Sequence, residues 1–354
     1  MLTRVQPARA KAEPLVELPC TAHSKPVTLA FMRAVVCHEL TGPKGLRIDD
    51  VAEPEVGAGD VLIEARAIGV NFPDLLVIQG KYQFQPSVPF VPGGEMSGVV
   101  VAVGAGVSSV RPGDRVVALM LSNGFAERAV VPAPAVIKLP DAVSFEDAAA
   151  CLWTYGTTHY ALLERAQLRR GETLLVLGAA GGVGLSAVDL GKHLGARVIA
   201  AASSDEKLEL CKERGADAVI NYSREDLKAR AKELSNGGVD VVYDPVGGAL
   251  AQGAVRSMAW GGRYLVIGFA SGDIPEVPLN VVLLKSCQIV GVFWGAFAMR
   301  EPERNAKNIQ EVLERIGQGK IAPSIDATLP LERAAEALER LEARKVRGKL
   351  VLLP

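Results

Sequence analysis

An apolar run followed directly by a glycine-rich loop constrains the fold of this chain more than any other feature. Residues 173–177 read Thr-Leu-Leu-Val-Leu, and residues 178–184 read Gly-Ala-Ala-Gly-Gly-Val-Gly before a helical pattern that continues to about residue 194. A buried strand, a glycine turn and a helix N-terminus in this order are typical of a βαβ unit that binds a dinucleotide. Glycine lets the backbone approach a pyrophosphate, and the helix N-terminus offers unpaired N–H groups to it.

The spacing of these glycines departs from the G-x-G-x-x-G pattern, because Gly178, Gly181 and Gly184 are three residues apart. A turn used only for close packing of helix on strand is the alternative interpretation. That alternative does not explain why four glycines, Gly182 included, stand where a phosphate would bind. The loop therefore favours dinucleotide binding.

The residues after the loop continue the alternation of strand and helix. Apolar strands are expected at 197–202, 217–221, 239–243 and 263–267, with helices near 206–214 and 224–234. Strands that are apolar almost throughout are typical of a parallel sheet covered by helices on both faces. We therefore expect an α/β chain with a doubly wound, Rossmann-type nucleotide-binding domain.

The flanking segments have a different character. Short apolar runs between recurrent glycines and prolines, from residue 33 to about 150, predict a compact β-rich domain. Helices near 302–318 and 331–344 precede a last strand at 349–353, which we expect to return to the first domain. The expected division is 32–152 with 296–354 for the β-rich domain and 153–295 for the nucleotide-binding domain.

Composition excludes several classes of function. Apolar residues make up 49% of the chain, yet no run of eighteen is uninterrupted, so no membrane span is expected. A net charge of -1 gives no electrostatic motive for binding nucleic acid. The basic cluster at 344–347 is interpreted as a solvated helix end. Five scattered cysteines without a CxxC pair indicate a reducing, cytoplasmic setting.

Residues 1–31 are expected to form a disordered extension. Four prolines interrupt the first thirty residues, which show little periodicity. An organelle-targeting segment is the alternative, but Glu13 and Glu17 do not suit an amphipathic targeting helix. Met32 is an alternative start for the folded part.

The end of the second strand bears on the choice of nicotinamide cofactor. An acidic residue there would hydrogen-bond the adenosine ribose and repel a 2′-phosphate, but the strand ends in Ala202 and Ser203. Asp205 comes later, in the expected first turn of the next helix. Lys207 and Tyr222 could supply a cation and a hydroxyl to a phosphate, although an exposed lysine and a packed tyrosine are ordinary alternatives. The pattern favours NADPH over NADH.

Six ordered motifs resemble one known family. They lie at 69–74 (GVNFPD), 91–98 (VPGGEMSG), 110–116 (VRPGDRV), 178–184 (the glycine loop), 243–248 (YDPVGG) and 267–272 (IGFASG). Together they resemble the zinc-free quinone oxidoreductase (zeta-crystallin-like) branch of the medium-chain dehydrogenase/reductase superfamily over about residues 33–354. The resemblance implies a GroES-like catalytic domain, a Rossmann domain and a cleft between them.

The same resemblance bears on zinc. Zinc-dependent members of the superfamily carry a cysteine where this chain has Asn71 and a histidine where it has Gly94. They also carry a cysteine-rich lobe after the stretch matching 113–116, whereas residues 117–136 contain no cysteine. A catalytic zinc needs three protein ligands and an open position. No metal site is therefore expected.

The resemblance also assigns roles to individual residues. Asn71 matches the active-site asparagine, whose amide donates to a substrate carbonyl, although an asparagine that satisfies turn backbone is the alternative. Tyr82 matches a cleft tyrosine, while a second cleft tyrosine of some members falls on Leu76. No role is assigned to Cys151 or His159. The residues expected to contact the cofactor are Thr157, Gly178, Gly181, Gly182, Val183, Gly184, Ser203, Lys207, Tyr222, Gly247, Gly268, Phe269 and Ala270.

The expected function is NADPH-dependent, zinc-independent reduction of quinones or α,β-unsaturated carbonyl compounds. An enoyl- or acryloyl-thioester reductase is an alternative within the superfamily, and a non-catalytic NADPH-binding structural or sensing protein is an alternative of another class. The expected partner is a small molecule, with no nucleic acid or membrane. The resemblance also implies a homodimer joined through the apolar stretch 281–294, which fits a buried internal strand equally well.

Overall fold

The computed structural model of the protein describes residues 30–354. The extension expected at 1–31 therefore lies outside the described residues, except for its last two. Phe31 is already the first residue of strand β1 (Phe31–Cys37), which pairs antiparallel with β2 (Leu46–Ala52). Within the described residues, no helix is both long and apolar enough to cross a membrane.

A seven-stranded sheet is built from both ends of the described chain. Its early strands are β3 (Asp60–Val70), β4 (Glu95–Val103), β5 (Arg115–Leu119), β6 (Arg128–Pro132) and β7 (Val136–Lys138), and its late strands are β14 (Ile325–Pro330) and β15 (Lys349–Leu353). The order is β14-β15-β3-β4-β5-β7, and β6 pairs with β3. Leu350 pairs antiparallel with Val70, so the last strand does return to the first sheet.

A six-stranded parallel sheet carries the glycine loop. Its strands are β8 (Thr173–Leu177), β9 (Arg197–Ala202), β10 (Ala218–Asn221), β11 (Val239–Asp244), β12 (Met258–Val266) and β13 (Gln288–Gly291), in the order β10-β9-β8-β11-β12-β13. Leu174 and Val176 pack into the core on one face, and Leu175 and Leu177 pack into the core on the other. Because helices cover both faces, these strands are apolar without alternation. The predicted α/β fold class is confirmed.

The helices fall between these strands. They are α1 (Phe72–Ile78), α2 (Phe145–His159), α3 (Gly182–His193), α4 (Asp205–Glu213), α5 (Leu227–Leu234), α6 (Leu250–Ser257), α7 (Leu279–Lys285), α8 (Trp294–Arg300), α9 (Pro302–Gly317) and α10 (Ala334–Glu342). Helix α2 contacts β3 and β4 of the first sheet as well as α3 of the second half. The expected domain boundaries at 152/153 and 295/296 fall inside α2 and α8. We retain the two-domain division as a proposal.

The apolar stretch 281–294 is not one strand. Its first part belongs to α7, and only Gln288–Gly291 forms strand β13. Ser286, in a left-handed conformation with φ 48°, ends the helix between them. Among residues 30–354, strand β13 pairs with β12 alone and forms one edge of the parallel sheet. The alternative of a buried internal strand is therefore wrong for this stretch.

Candidate active site

The glycine loop joins β8 to α3, and no side chain caps the N-terminus of α3. Gly181 is the N-cap residue of α3 and has no side chain that could accept from the first turn. A Cβ added at Gly184 would lie 2.3 Å from the carbonyl oxygen of Gly178, so helix and strand approach too closely there for any side chain. A Cβ added at Gly181 would meet only this same oxygen, at 3.4 Å. The N–H groups of Val183 and Gly184 are orphan donors that an anion can satisfy, whereas Gly182 faces the Gly348 carbonyl in a parallel bridge between Gly181 and Gly348.

Two basic residues, Lys207 and Arg344, lie near the end of β9. Lys207 lies in the first turn of α4, and its ammonium donates to the carbonyl oxygen of Arg344 at 3.1 Å. Burial raises the pKa of the Tyr222 hydroxyl, and the neighbouring Ser203 side chain and Arg344 charge oppose that rise. Ser203, Lys207, Tyr222 and Arg344 are therefore brought together. Two cations and two hydroxyls form a site with the chemistry that a phosphate requires.

The acidic residues that follow β9 are engaged elsewhere. The carboxylate of Asp205 accepts two hydrogen bonds of 2.8 Å from Arg224 and one of 2.9 Å from Asn221. Glu206 pairs with Arg347 at 2.6 Å. Neither carboxylate is free to bind a ribose, and their charges are balanced by adjacent arginines.

A buried aspartate shapes the two loops at the ends of β11 and β12. Asp244 is 1% exposed, and one carboxylate oxygen accepts from the N–H groups of Val246 at 2.7 Å and Gly247 at 2.9 Å. The other carboxylate oxygen accepts from the hydroxyl of Tyr264. These hydrogen bonds to the Asp244 carboxylate therefore fix the backbone of the 245–248 loop.

The loop at 268–272 lies directly against this one. Ala270 N–H donates to Pro245 at 3.0 Å, and a Cβ added at Gly247, where φ is +68°, would lie 2.9 Å from the Phe269 ring. A Cβ added at Gly178 would lie 2.7 Å from Val246. The carboxyl ends of the parallel strands thus bring together five expected contact residues: Gly178, Gly247, Gly268, Phe269 and Ala270.

Helix α2 passes behind the glycine loop. Thr157 lies on it, 7% exposed, and its neighbour Thr158 bonds the hydroxyls of Ser186 at 2.7 Å and Tyr243 at 3.0 Å. These bonds fix α2 against α3 and β11. Thr157 is held at this interface, although no contact here tests its expected role.

Asn71 lies at the end of β3 in a buried polar network. Its amide nitrogen donates to Glu95 at 2.7 Å, and its amide oxygen accepts from the ammonium of Lys349 at 2.7 Å. Lys349 also donates to Glu95 at 2.6 Å and to the Val70 carbonyl at 3.0 Å. The second Glu95 oxygen accepts from the backbone N–H of Trp153 at 2.8 Å. The alternative of an asparagine that merely satisfies turn backbone does not describe this side chain.

Tyr82 and Asp74 stand next to this network. The carboxylate of Asp74 accepts from the backbone N–H of Asn71 at 2.7 Å at the start of α1, and burial raises its pKa to about 7. Burial and the nearby Asp74 charge raise the pKa of Tyr82. The Tyr82 hydroxyl therefore keeps its proton at neutral pH.

Strand β15 connects Asn71 to the glycine loop. Gly348 N–H donates to the Ala180 carbonyl at 3.0 Å, and the stem of Lys349 would lie 3.3 Å from a Cβ added at Gly182. The candidate catalytic amide and the open helix N-terminus are thus separated by one lysine side chain.

Three residues of this site were absent from the sequence-based assignment: Arg344, Lys349 and Glu95. Arg344 is exposed just after the end of helix α10, as the interpretation of 344–347 expected, and its guanidinium also donates to the carbonyls of Ala270 at 3.2 Å and Ser271 at 3.3 Å. A lysine inside a final apolar strand is a polar residue at a core position. Lys349 could have been recognised as a candidate site residue from this pattern.

The donor set does not fit a catalytic zinc ion. At the two positions where the resemblance implies zinc ligands this chain has Asn71 and Gly94, neither of which binds zinc through a side chain, and the Glu95 carboxylate is paired with Lys349. Within residues 30–354, no three His, Cys, Asp or Glu side chains lie close enough together to hold a metal ion. No step of the proposed chemistry is therefore assigned to a metal.

Comparison with known proteins gives matches along most of the chain. Residues 57–141 match the family described as alcohol dehydrogenase GroES-like domain, and residues 182–315 match the family described as zinc-binding dehydrogenase. A "Quinone oxidoreductase-like protein 2 homolog" of Nematostella vectensis is 41% identical over 90% of this chain and 88% of its own length. The chain belongs to the quinone oxidoreductase branch of the medium-chain dehydrogenase/reductase superfamily. The predicted family, and with it the class of oxidoreductases, is confirmed.

Solved structures of this branch share the fold. A mycobacterial protein in complex with NADPH is 37% identical, with a TM-score of 0.86 over 91% of this chain and 100% of that one. The Escherichia coli quinone oxidoreductase in complex with NADPH is 32% identical, with a TM-score of 0.84 over the same shares. The expected pairing of a GroES-like domain with a nucleotide-binding domain is therefore confirmed at the level of the fold.

Proposed function

We propose that this protein is an NADPH-dependent reductase of quinones and α,β-unsaturated carbonyl compounds. The observation that carries the proposal is the amide of Asn71, a buried hydrogen-bond donor held one lysine away from an open glycine-loop helix. Two solved relatives of the branch were described in complex with NADPH, which supports the choice of cofactor.

The chain's residues fit this cofactor at three places. The uncapped N–H groups of Val183 and Gly184 suit a pyrophosphate, and the loops 245–248 and 268–270 suit the nicotinamide end. Lys207 and Arg344 suit the 2′-phosphate, with Ser203 and Tyr222 as hydroxyl partners. NADPH, when bound, would supply the hydride, that is, one proton with two electrons.

Asn71 is the residue to which we assign stabilisation of the substrate. One of its amide hydrogens is bonded to Glu95, and the other has no acceptor among residues 30–354. That second N–H can donate to a substrate carbonyl oxygen and stabilise the negative charge that develops there when the hydride arrives. Tyr82, whose raised pKa keeps it protonated, is the second donor. The proton that completes the reduced product comes from solvent or through Tyr82.

The test is NADPH oxidation by the purified protein with acceptors of different classes. Benzoquinone, phenanthrenequinone, an α,β-unsaturated ketone and acryloyl-CoA would be compared, with NADH and a chelator as controls. Turnover of the quinones or the ketone that prefers NADPH and ignores the chelator is expected. Turnover of the thioester alone would assign the protein to the enoyl reductases. NADPH binding without oxidation by any acceptor would leave a binding protein.

We also propose a homodimer formed through the edge of the parallel sheet. Strand β13 has one unpaired side, and an exposed strand edge is a ready template for pairing with a second copy. Helix α7 beside it carries Leu279, Leu283 and Leu284, which are 75%, 78% and 72% exposed. An apolar surface of this kind next to a free sheet edge is typical of a subunit interface.

A reducing, cytoplasmic setting completes the proposal. Cys37, Cys151, Cys211 and Cys287 are buried and unpaired within the described residues. Burial raises the pKa of each of these thiols, which keeps them protonated and unreactive. They behave as small apolar residues of the core.

A further inference from the structure

We infer that the buried pair of Lys349 and Glu95 holds the Asn71 amide in one orientation, so that its second N–H is kept as a donor for a substrate. Lys349 and Glu95 are thereby positioning residues for Asn71. The inference rests on the proposed function for the identity of the substrate, but the orientation of Asn71 is a property of the protein alone.

The hydrogen bonds of Lys349 are fully accounted for. An ammonium has three donors, and Lys349 uses them on the Val70 carbonyl, the Asn71 amide oxygen and the Glu95 carboxylate at 3.0, 2.7 and 2.6 Å. Lys349 is 4% exposed. It therefore has no donor left for a substrate, and its effect on the reaction must pass through Asn71.

The opposite orientation of Asn71 is electrostatically unfavourable at both partners. Turning the amide over would place its oxygen against the Glu95 carboxylate and its NH₂ group against the Lys349 ammonium. The partly negative amide oxygen would then face a carboxylate, and the partly positive NH₂ group would face an ammonium. Both contacts are repulsive, and burial strengthens the repulsion. A neutral pair of neighbours would permit both orientations, since an amide nitrogen and oxygen occupy similar space.

The buried ion pair of Lys349 and Glu95 contributes little net stability to the fold. Glu95 is 0% exposed, and removing two charges from water costs free energy that their attraction only partly repays. A well-packed apolar pair could stabilise the same core at least equally well. What the charges add is a fixed direction for the Asn71 amide. The remaining N–H of the amide is then held in a fixed direction, as a donor to a substrate oxygen.

The test replaces the pair by neutral residues, using Lys349→Met together with Glu95→Gln. Removing both charges avoids the uncompensated buried charge that either single change would leave. In the double variant, the residue 95 side-chain oxygen can accept from Trp153 and its nitrogen can donate to the Asn71 oxygen, so the reversed amide becomes favourable. The matched control is Lys138→Met, which removes a lysine from an exposed pair with Asp114.

The expected result is a loss of kcat on the order of 10²-fold, as for removal of one donor to a developing oxyanion. The dissociation constant of NADPH should change by less than about threefold, because the lysine stem is kept by methionine. Adding Asn71→Ala to the double variant should cost little more, since both changes remove one function. Unchanged kcat in the double variant, or equal losses from Asn71→Ala in both backgrounds, would overturn the inference.

A second readout does not depend on turnover. The side-chain amide of Asn71, assigned from the spectrum of Asn71→Ala, should exchange slowly with solvent in the wild type by NMR. It should exchange faster in the double variant, and the exposed Asn236 amide provides the fast reference. An Asn71 amide that exchanges as fast as Asn236 in the wild type would refute the orientation itself. A protected amide in a protein that reduces no acceptor would instead refute the proposed function alone.

Discussion

The backbone N–H of Gly348 donates to the carbonyl oxygen of Ala180 at 3.0 Å, and this bond joins the last strand of the first sheet to the glycine loop of the second. Gly348 has φ +98°, and a Cβ there would lie 2.3 Å from the Ser324 carbonyl oxygen. Glycine is therefore required at this position, because of its positive φ and its close approach to Ser324. Lys349 follows immediately, so the backbone contact also sets the place of the lysine that holds Asn71.

Replacing Asn71 by alanine should lower kcat with quinone on the order of 10²-fold, because the substrate oxygen loses its amide donor. The dissociation constant of NADPH should stay within about threefold, since Asn71 binds Glu95 and Lys349 and is not assigned to the cofactor. Steady-state kinetics and a direct binding titration measure the two effects. Asn236→Ala is the control. A variant that loses NADPH affinity but keeps kcat would contradict the assigned role.

Two glycines of the loop should respond differently to alanine. Gly184→Ala should lower the melting temperature strongly, because its Cβ would lie 2.3 Å from the Gly178 carbonyl oxygen and 2.8 Å from Ala179 backbone. Gly181→Ala, with φ -80° and ordinary contact at 3.4 Å, should fold normally but bind NADPH more weakly. Thermal denaturation and NADPH titration separate the effects. Normal NADPH affinity in Gly181→Ala would place the pyrophosphate elsewhere.

Preference for NADPH should depend on Lys207 and Arg344. Each change to alanine should weaken NADPH binding by about 10- to 150-fold, because a charge-assisted bond to a phosphate contributes about 1.5–3 kcal/mol. NADH, which has no 2′-phosphate, should bind equally well to wild type and variants. Lys212→Ala, which removes an exposed lysine paired with Glu209 on the same helix, is the matched control. Equal losses for NADPH and NADH would show a structural effect instead.

The free energy of unfolding should depend on pH through the Asp74 carboxyl group. Burial raises its pKa in the folded state from 3.8 to about 7, so between these values the folded protein binds a proton that the unfolded chain has released. This contribution to the free energy of unfolding is therefore present at low pH and is lost as the pH rises toward about 7. Asp74→Asn should lack it.

The measurement is urea denaturation of wild type and Asp74→Asn at several pH values between about 4 and 8. The difference between the two proteins isolates Asp74 from groups such as Asp217, whose pKa is lowered and whose contribution has the opposite sign. The advantage of wild type over the variant should shrink with rising pH. A difference that is constant with pH would show that the carboxyl titrates normally.

Association should depend on the surface of helix α7. Leu283→Glu places a charge on an apolar surface and should shift the protein from dimer to monomer in size-exclusion chromatography with light scattering. Leu121→Glu, at a residue 52% exposed outside the parallel sheet, should leave the oligomeric state unchanged. A wild type that is monomeric at all concentrations would refute the proposed interface directly.

The sequence predicted the parallel sheet well, since buried strands such as Thr173–Leu177 are apolar runs bounded by glycine or polar residues. Residues 281–294 misled the prediction because both α7 and β13 are apolar and adjacent, and only the left-handed Ser286 separates them. A short helix and a strand cannot be distinguished by hydrophobicity alone when each spans only a few residues.

The candidate site was predicted only where motifs are local. The glycine loop and the turn at 268–270 are each continuous in sequence. Arg344 stands 137 positions from Lys207, and Lys349 stands 254 positions from Glu95. Such pairs are created by the strand order of the first sheet, which one sequence does not reveal. The roles of Asn71 and Tyr82 remain predictions that the proposed variants test.

The position of β15 in the first sheet affects how the protein forms during synthesis. The six parallel strands are complete once residue 291 has emerged from the ribosome, and domains generally fold as their residues appear. The end of strand β3, residues 68–70, emerges much earlier but waits for residues 350–352 before its β15 neighbour is available. Until then Glu95 has no lysine partner. The nascent chain can therefore acquire a nucleotide-binding fold before it acquires an oriented Asn71.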